Sequence, residues 1–248
     1  MSANHNLLRP SSPHRVLIVA AKPAVSPTTG WPVGAWAAEL THPYLAFTEA
    51  GYEVDFASPD GGAVTFDAFS DPRHESGYSA ADLISLGFIH SAPLMARLAS
   101  TPPVASVDLT GYDAVFIAGG QSPMVTFPNH AGLHAFVRAA WEADKVLGVV
   151  CHATCLLLTV TDAAGARLVD GRTWTGFADA EEAYADAWVG QRIQPFWIET
   201  AARALPNTNF ITGGLFRPFA VRDGRLVTGQ QQFSGAEAAR LVIEAVGR

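Results

Sequence analysis

The chain has 248 residues and only two cysteines, Cys151 and Cys155. Two cysteines cannot form a disulfide framework, and a free thiol suits the reducing cytosol. Cationic clusters are also missing. Sixteen Lys and Arg face 23 Asp and Glu, for a net charge of −7. Nucleic acid therefore finds no electrostatic footprint, and an anionic membrane surface has nothing to attract it. There is no apolar run of about 18 residues to span a bilayer. The opening MSANHNLLRPSSPHR lacks the apolar core of a signal peptide. Cytoplasmic residence is the expectation. Charged residues make up 16% and hydrophobic residues 49%, which excludes disorder and suffices for a sheet covered on both faces.

What is present alternates. Residues 16–20, 114–118 and 146–150 are short apolar runs, the mark of strands buried on both faces. Residues 52–57 alternate as a further strand. Helical spacing covers 35–50, 131–143 and 235–246, with Pro43 expected to kink or split the first helix. Within 63–108, residues 81–86 and 92–98 read as a helical insertion over the sheet. Residues 173–177, 220–222 and 226–228 add strands, the last two joined by a hairpin at Asp223-Gly224. The pattern predicts an α/β fold, with a doubly wound, mostly parallel sheet sandwiched by helices and a small C-terminal β-hairpin. Residues 1–14 read as a flexible leader and 15–248 as one domain.

In such sheets ligands sit beyond the carboxyl ends of the strands. Three features fall there: the Pro/Gly/Thr-rich loop 22–34, Gly119-Gly120, and Cys151-His152. Cys151 joins a buried strand to a predicted helix over 153–160 with no spacer. A thiol at that elbow meets the free N–H groups and positive pole of the helix, which favour an anion, so a depressed pKa is expected. The pattern also admits an ordinary buried cysteine. Cys155 reads as a small core hydrophobe or as a resolving cysteine. No second Cys/His cluster completes a zinc site, and His74, His90, His130 and His134 show no ligand spacing. No metal and no cofactor is expected.

Five motifs occur in order: Glu39-Leu40-Thr41-His42-Pro43-Tyr44, Ala118-Gly119-Gly120, Cys151-His152, 176–182 (Gly-Phe-Ala-Asp-Ala-Glu-Glu) and 223–229 (Asp-Gly-Arg-Leu-Val-Thr-Gly). Together they resemble the ThiJ/PfpI superfamily over roughly residues 15–247. That superfamily has a flavodoxin-like fold similar to class I glutamine amidotransferases. The similarity is to the branch of heat-inducible chaperones and glutathione-independent glyoxalases, glyoxalase III. The resemblance implies Cys151 as nucleophile, with a protonated Glu39 against its sulfur. His152 would be the acid/base, oriented by Glu182 or by Asp179. Gly119 and Gly120 would shape an oxyanion hole from the N–H groups of Gly120 and His152.

The implied activity is conversion of a small reactive carbonyl, methylglyoxal, to lactate without glutathione. Two alternatives stay open: amide or nitrile-type hydrolysis or hydration through the same cysteine, and a holdase chaperone or oxidant sensor. The implied partners are a small-molecule substrate and a second copy in a homodimer. Three departures from the branch fall near the expected pocket: Ala153-Thr154 in place of Gly-Pro, Trp31-Pro32-Val33-Gly34, and Gln230-Gln231-Gln232-Phe233. Thr154 is expected to bring a hydroxyl to the mouth of the site, and Trp31 to line it. Trp36 and Phe127 are further lining candidates. Trp188, Phe196 and Trp197 are candidates for covering an insertion or a dimer contact. Core packing is the other reading for each of these rings.

Overall fold

The computed structural model of the chain describes residues 13–247. Residues 1–12 of the expected leader lie outside the described residues. His14 is tied to the sheet, stacking on Tyr52 and lying 3.2 Å from an Asp113 carboxyl oxygen.

β1 (Arg15–Val19) leads into a short hairpin of β2 (Ala24–Val25) and β3 (Pro32–Val33), then α1 (Ala37–Glu49) and β4 (Glu53–Ala57). α2 (Leu83–Ile89) and α3 (Ala92–Ala99) precede β5 (Ala114–Ile117). α4 (Ser122–Thr126) and α5 (Ala131–Glu142) lead to β6 (Val146–Val150), which runs straight into a 3₁₀ helix over Cys151–Leu158. Next come β7 (Thr173–Trp174), α6 (Asp179–Val189), α7 (Ile198–Arg203) and β8 (Asn209–Phe210). β9 (Ala220–Asp223) and β10 (Leu226–Gly229) form a hairpin, and α8 (Gly235–Val246) follows.

The main sheet runs β4-β1-β5-β6-β10-β9, parallel except for β9 at one edge. β5 and β6 are buried along their whole length, which is why their sequences are unbroken apolar runs. From β1 the chain steps to β4 on one side, whereas from β5 it steps to β6 on the other. Right-handed crossovers then put α1 and α5 on opposite faces. The order reverses between β1 and β5, so their carboxyl ends splay into the crevice where such sheets bind ligands.

Several predicted elements change form. α1 is not split by Pro43. The proline removes one internal hydrogen bond, but its ring is braced against α8, where a Cβ on Gly235 would meet it at 3.2 Å. Residues 173–177 yield only a two-residue strand, paired with β8 outside the main sheet. The loop 22–34 contains a small hairpin. The helix after Cys151 is a 3₁₀ helix from its first residue, not an α-helix.

Candidate active site

The elbow is strained at its apex. Val150 ends β6 in extended geometry, and Cys151 takes φ +56°. That conformation costs a non-glycine residue on the order of 1–3 kcal/mol and persists only where the surroundings enforce it. One enforcer is Thr154, whose hydroxyl donates to the Cys151 carbonyl at 2.6 Å. The 3₁₀ helix runs for eight residues, longer than such helices ordinarily hold. Thr154 is fully buried, packed beneath Gly176, and is not among the residues lining the pocket. The expected hydroxyl at the mouth is therefore corrected to one that fastens the elbow. Ala153 is sealed as well, so neither residue standing in place of Gly-Pro faces the pocket.

Glu39 arrives from the first turn of α1. It is fully buried, and both carboxyl oxygens lack hydrogen bonds of ordinary geometry. The polar groups beside it are the Cys151 thiol and the Gly119 backbone. Gly119 is required here: a Cβ would strike Glu39 Oε2 and come within 2.9 Å of Cys151 Cβ. Gly120, at φ +113°, passes so close to the Gly34–Trp36 backbone that no Cβ fits. The glycine pair thus brings the end of β5 against α1 and the sulfur together.

His152 Nδ1 lies 3.5 Å from Cys151 Sγ, and its Nε2 lies 3.0 Å from Glu182 Oε1 on α6. Phe177 stacks on the imidazole with ring centroids 4.1 Å apart. Glu182, not Asp179, meets the histidine. Asp179 instead accepts from the backbone and hydroxyl of Thr200.

Burial raises the Glu39 carboxyl to about 8, so it is protonated at neutral pH. The thiol moves opposite to expectation. Cys151 is 3% exposed, and burial, then the neighbouring Glu39 charge, push its pKa up. The backbone N–H groups of His152 and Gly120 point at the sulfur and pull the other way without prevailing. The expected depressed thiol assumed a sulfur facing water, whereas this one sits under a roof formed by other segments. Two adjacent anions are excluded, so the Glu39–Cys151 pair carries at most one negative charge. For His152, burial opposes the imidazolium, but the surrounding carboxyl groups, Glu182 foremost with Glu39 and Asp67, together raise the pKa. Cys155 is buried, with its thiol pushed up by burial and 3.6 Å from the Pro123 carbonyl oxygen, as a core residue would be.

Cys151, His152, Glu39 and Glu182 open into a pocket of about 190 Å³. Trp31 and Trp36 line it, whereas Phe127 is sealed in the core. Trp188, a candidate for covering an insertion or a dimer contact, lines the pocket too. Among the described residues no cluster could hold a metal ion, and no helix is long and apolar enough to cross a membrane.

Residues 34–245 match the model of the DJ-1/PfpI family. The chain belongs to this family. Glyoxalase 3 of Candida albicans is 25% identical over 218 residues, covering 87% of this chain and 91% of that protein. The glutathione-independent glyoxalase HSP31 of Saccharomyces cerevisiae is 24% identical over 225 residues, covering 88% and 91%. The structure of Rapid Encystment Protein 24 kDa from Francisella tularensis superposes with a TM-score of 0.83 at 23% identity, covering 95% of this chain and all of that one. These likenesses place the helix-flanked parallel sheet among known DJ-1/PfpI folds.

Two residues of this DJ-1/PfpI site escaped sequence reasoning. Asp67 is buried and accepts from the N–H groups of Gly34 at 2.7 Å and Gln121 at 2.8 Å, clasping the approach to α1 to the loop after β5. Glu181, beside Glu182, is also buried, and accepts from Gln230 Nε2 and the Phe216 N–H, both at 2.8 Å. The only signal for Glu181 was the Gly-Phe-Ala-Asp-Ala-Glu-Glu motif. Nothing local marked Asp67.

Proposed function

We propose that this protein is a cysteine-dependent, glutathione-independent glyoxalase that converts a small 2-oxoaldehyde to a 2-hydroxy acid. The observation that carries the reading is the chain of contacts Glu39–Cys151–His152–Glu182 at the floor of one pocket. The relatives named glyoxalase support it.

The Cys151 sulfur attacks the aldehyde carbon while its proton passes to His152 Nδ1, and Glu182 stabilises the imidazolium. The carbonyl oxygen takes up a proton to give a hemithioacetal. The N–H groups of Gly120 and His152 are the donors for the developing oxyanion. A proton then leaves the former aldehyde carbon to give an enediol and returns to the neighbouring carbon, leaving a thioester. Glu39 and His152 carry these protons. Water cleaves the thioester, releasing the 2-hydroxy acid and restoring the thiol. Overall, one 2-oxoaldehyde and one water give one hydroxy acid, with no net redox change. Trp31 forms part of the wall around the bound aldehyde.

The test is lactate formation from methylglyoxal in glutathione-free buffer. Wild type is expected to turn over, and Cys151→Ala to lose at least about 10³-fold while unfolding at the same urea midpoint. Substantial turnover by Cys151→Ala rejects the mechanism.

A further inference from the structure

The pocket wall is built for more than a methyl group. Above the reacting floor it is dominated by aromatic rings, and among the described residues no Lys or Arg lines it. Three of these rings form a cluster drawn from distant segments. Phe69 and Tyr78 come from the excursion before α2, and Trp188 from the last turn of α6. Phe69 meets Trp188 at 5.6 Å between centroids, and Tyr78 meets Trp188 at 6.1 Å. Trp36 packs edge-on to Tyr78 at 6.0 Å. The Tyr78 hydroxyl is held by Gln232 Nε2 at 3.4 Å, so one of the departures from the branch's usual sequence fixes a wall ring in place.

The cluster is not closed on itself. Trp188 is 60% exposed and Tyr78 48%. Rings left this open beside a pocket present faces and edges to whatever enters, and a planar apolar group is what such surfaces hold best. Among the described residues the wall offers no Lys or Arg to an anionic substituent.

We infer that the preferred substrates are 2-oxoaldehydes whose keto carbon carries an aryl group, with Phe69, Tyr78 and Trp188 as the specificity-determining residues. This rests on the glyoxalase reading of the same floor. The chemistry is unchanged and balanced: an arylglyoxal and one water give a 2-hydroxy-2-arylacetate through the same Cys151 adduct. A methyl group in the same position leaves the cluster untouched.

The experiment compares kcat/KM for phenylglyoxal and methylglyoxal without glutathione, reading mandelate and lactate, in wild type, Trp188→Ala and Phe69→Leu. Two variants guard against one failing to fold. Their use also cancels the intrinsic difference in reactivity between the aldehydes. The expected result is at least a tenfold preference for phenylglyoxal in wild type, with the ratio falling at least tenfold in Trp188→Ala and in the same direction in Phe69→Leu. If methylglyoxal is turned over and phenylglyoxal is no better, or if the ratio holds in both variants, the aryl preference is overturned and the glyoxalase reading stands. If wild type turns over neither aldehyde, both fall.

Discussion

Glu182 Oε1 lies 3.0 Å from His152 Nε2, and both side chains are almost wholly removed from water. A buried carboxylate in that position holds the imidazole in one orientation and stabilises its charged form. Glu182→Gln keeps the shape and removes the charge. It is expected to lower kcat/KM on the order of 10²–10³-fold, somewhat less than the loss seen when a triad carboxylate is neutralised. Because Glu182 raises the His152 pKa, its removal lets that pKa fall. The acidic limb of the kcat/KM profile, set by loss of the neutral imidazole, is expected to move to lower pH. An unmoved limb means that His152 is not the group titrating there.

Glu39 has the opposite relation to its surroundings, since its folded pKa of about 8 lies above the ordinary 4.5. The unfolded carboxyl ionises first as pH rises, and the folded one cannot follow until about 8. Stability contributed by the protonated group is therefore complete below 4.5 and drains away up to about 8, at about 1.4 kcal/mol per pH unit. Glu39→Gln is neutral throughout and removes that slope. The variant is expected to match wild type near pH 4.5 and to exceed it by roughly 3 kcal/mol at pH 7, measured by urea unfolding. It is also expected to lose about 10²–10⁴-fold in kcat, because an amide donates a hydrogen bond but relays no proton. A variant no more stable than wild type at pH 7 shows that the carboxyl is not held neutral.

Part of this site was legible in the sequence, for a physical reason. Parallel strands must be apolar on both faces, so β1, β5 and β6 announce themselves, and Cys151 follows β6 directly. Glu39 is a lone charge among Trp36, Ala37, Ala38 and Leu40. The direction of the Cys151 pKa was not legible. It depends on burial beneath Glu39 of α1 and the Gly119-Gly120 turn, which are far from residue 151 in the chain. Thr154, in place of the branch's Pro, suggests a hydroxyl at the mouth, whereas the 3₁₀ turn aims that hydroxyl back at the Cys151 carbonyl. Trp188 reads locally as a surface ring, and only its packing on Phe69 and Tyr78 reveals a pocket wall.

The hydroxyl of Thr154 separates fastening from recognition. Thr154→Val keeps the volume and deletes the 2.6 Å bond that holds the Cys151 carbonyl at φ +56°. The carbonyl keeps the backbone N–H bond of the 3₁₀ turn, so losing the hydroxyl is expected to cost about 0.5–1.5 kcal/mol. Because Thr154 does not reach the pocket, the ratio of kcat/KM between aldehydes of different size is expected to stay within about twofold of wild type while the urea midpoint falls. A changed ratio at unchanged stability places the hydroxyl in substrate recognition after all.

Asp67 separates stability from activity in a different way. Its two bonds hold Gly34 to Gln121, and Gln121 follows Gly120, whose N–H points at the sulfur. Burial raises its pKa to about 6 from the ordinary 3.8, so at pH 7 the ionised form is held at a penalty of about 3 kcal/mol. Asp67→Asn relieves that penalty. It also turns an amide NH₂ toward one of the two N–H groups, where donor faces donor and one bond of the clasp is lost. The burial penalty is already net of the two backbone bonds, so the urea midpoint at pH 7 is not expected to fall. The clasp does not survive the change, and the loop carrying Gly120 loses its register with the sulfur. Mispositioning one oxyanion donor is expected to lower kcat about 10–10²-fold with KM largely retained, somewhat less than outright removal of a donor. As Asp67 touches no substrate, it acts as a positioning residue. If kcat is unchanged, the loop keeps its place without the clasp, and the Gly120 N–H is set by the tight backbone approach at Trp36 alone.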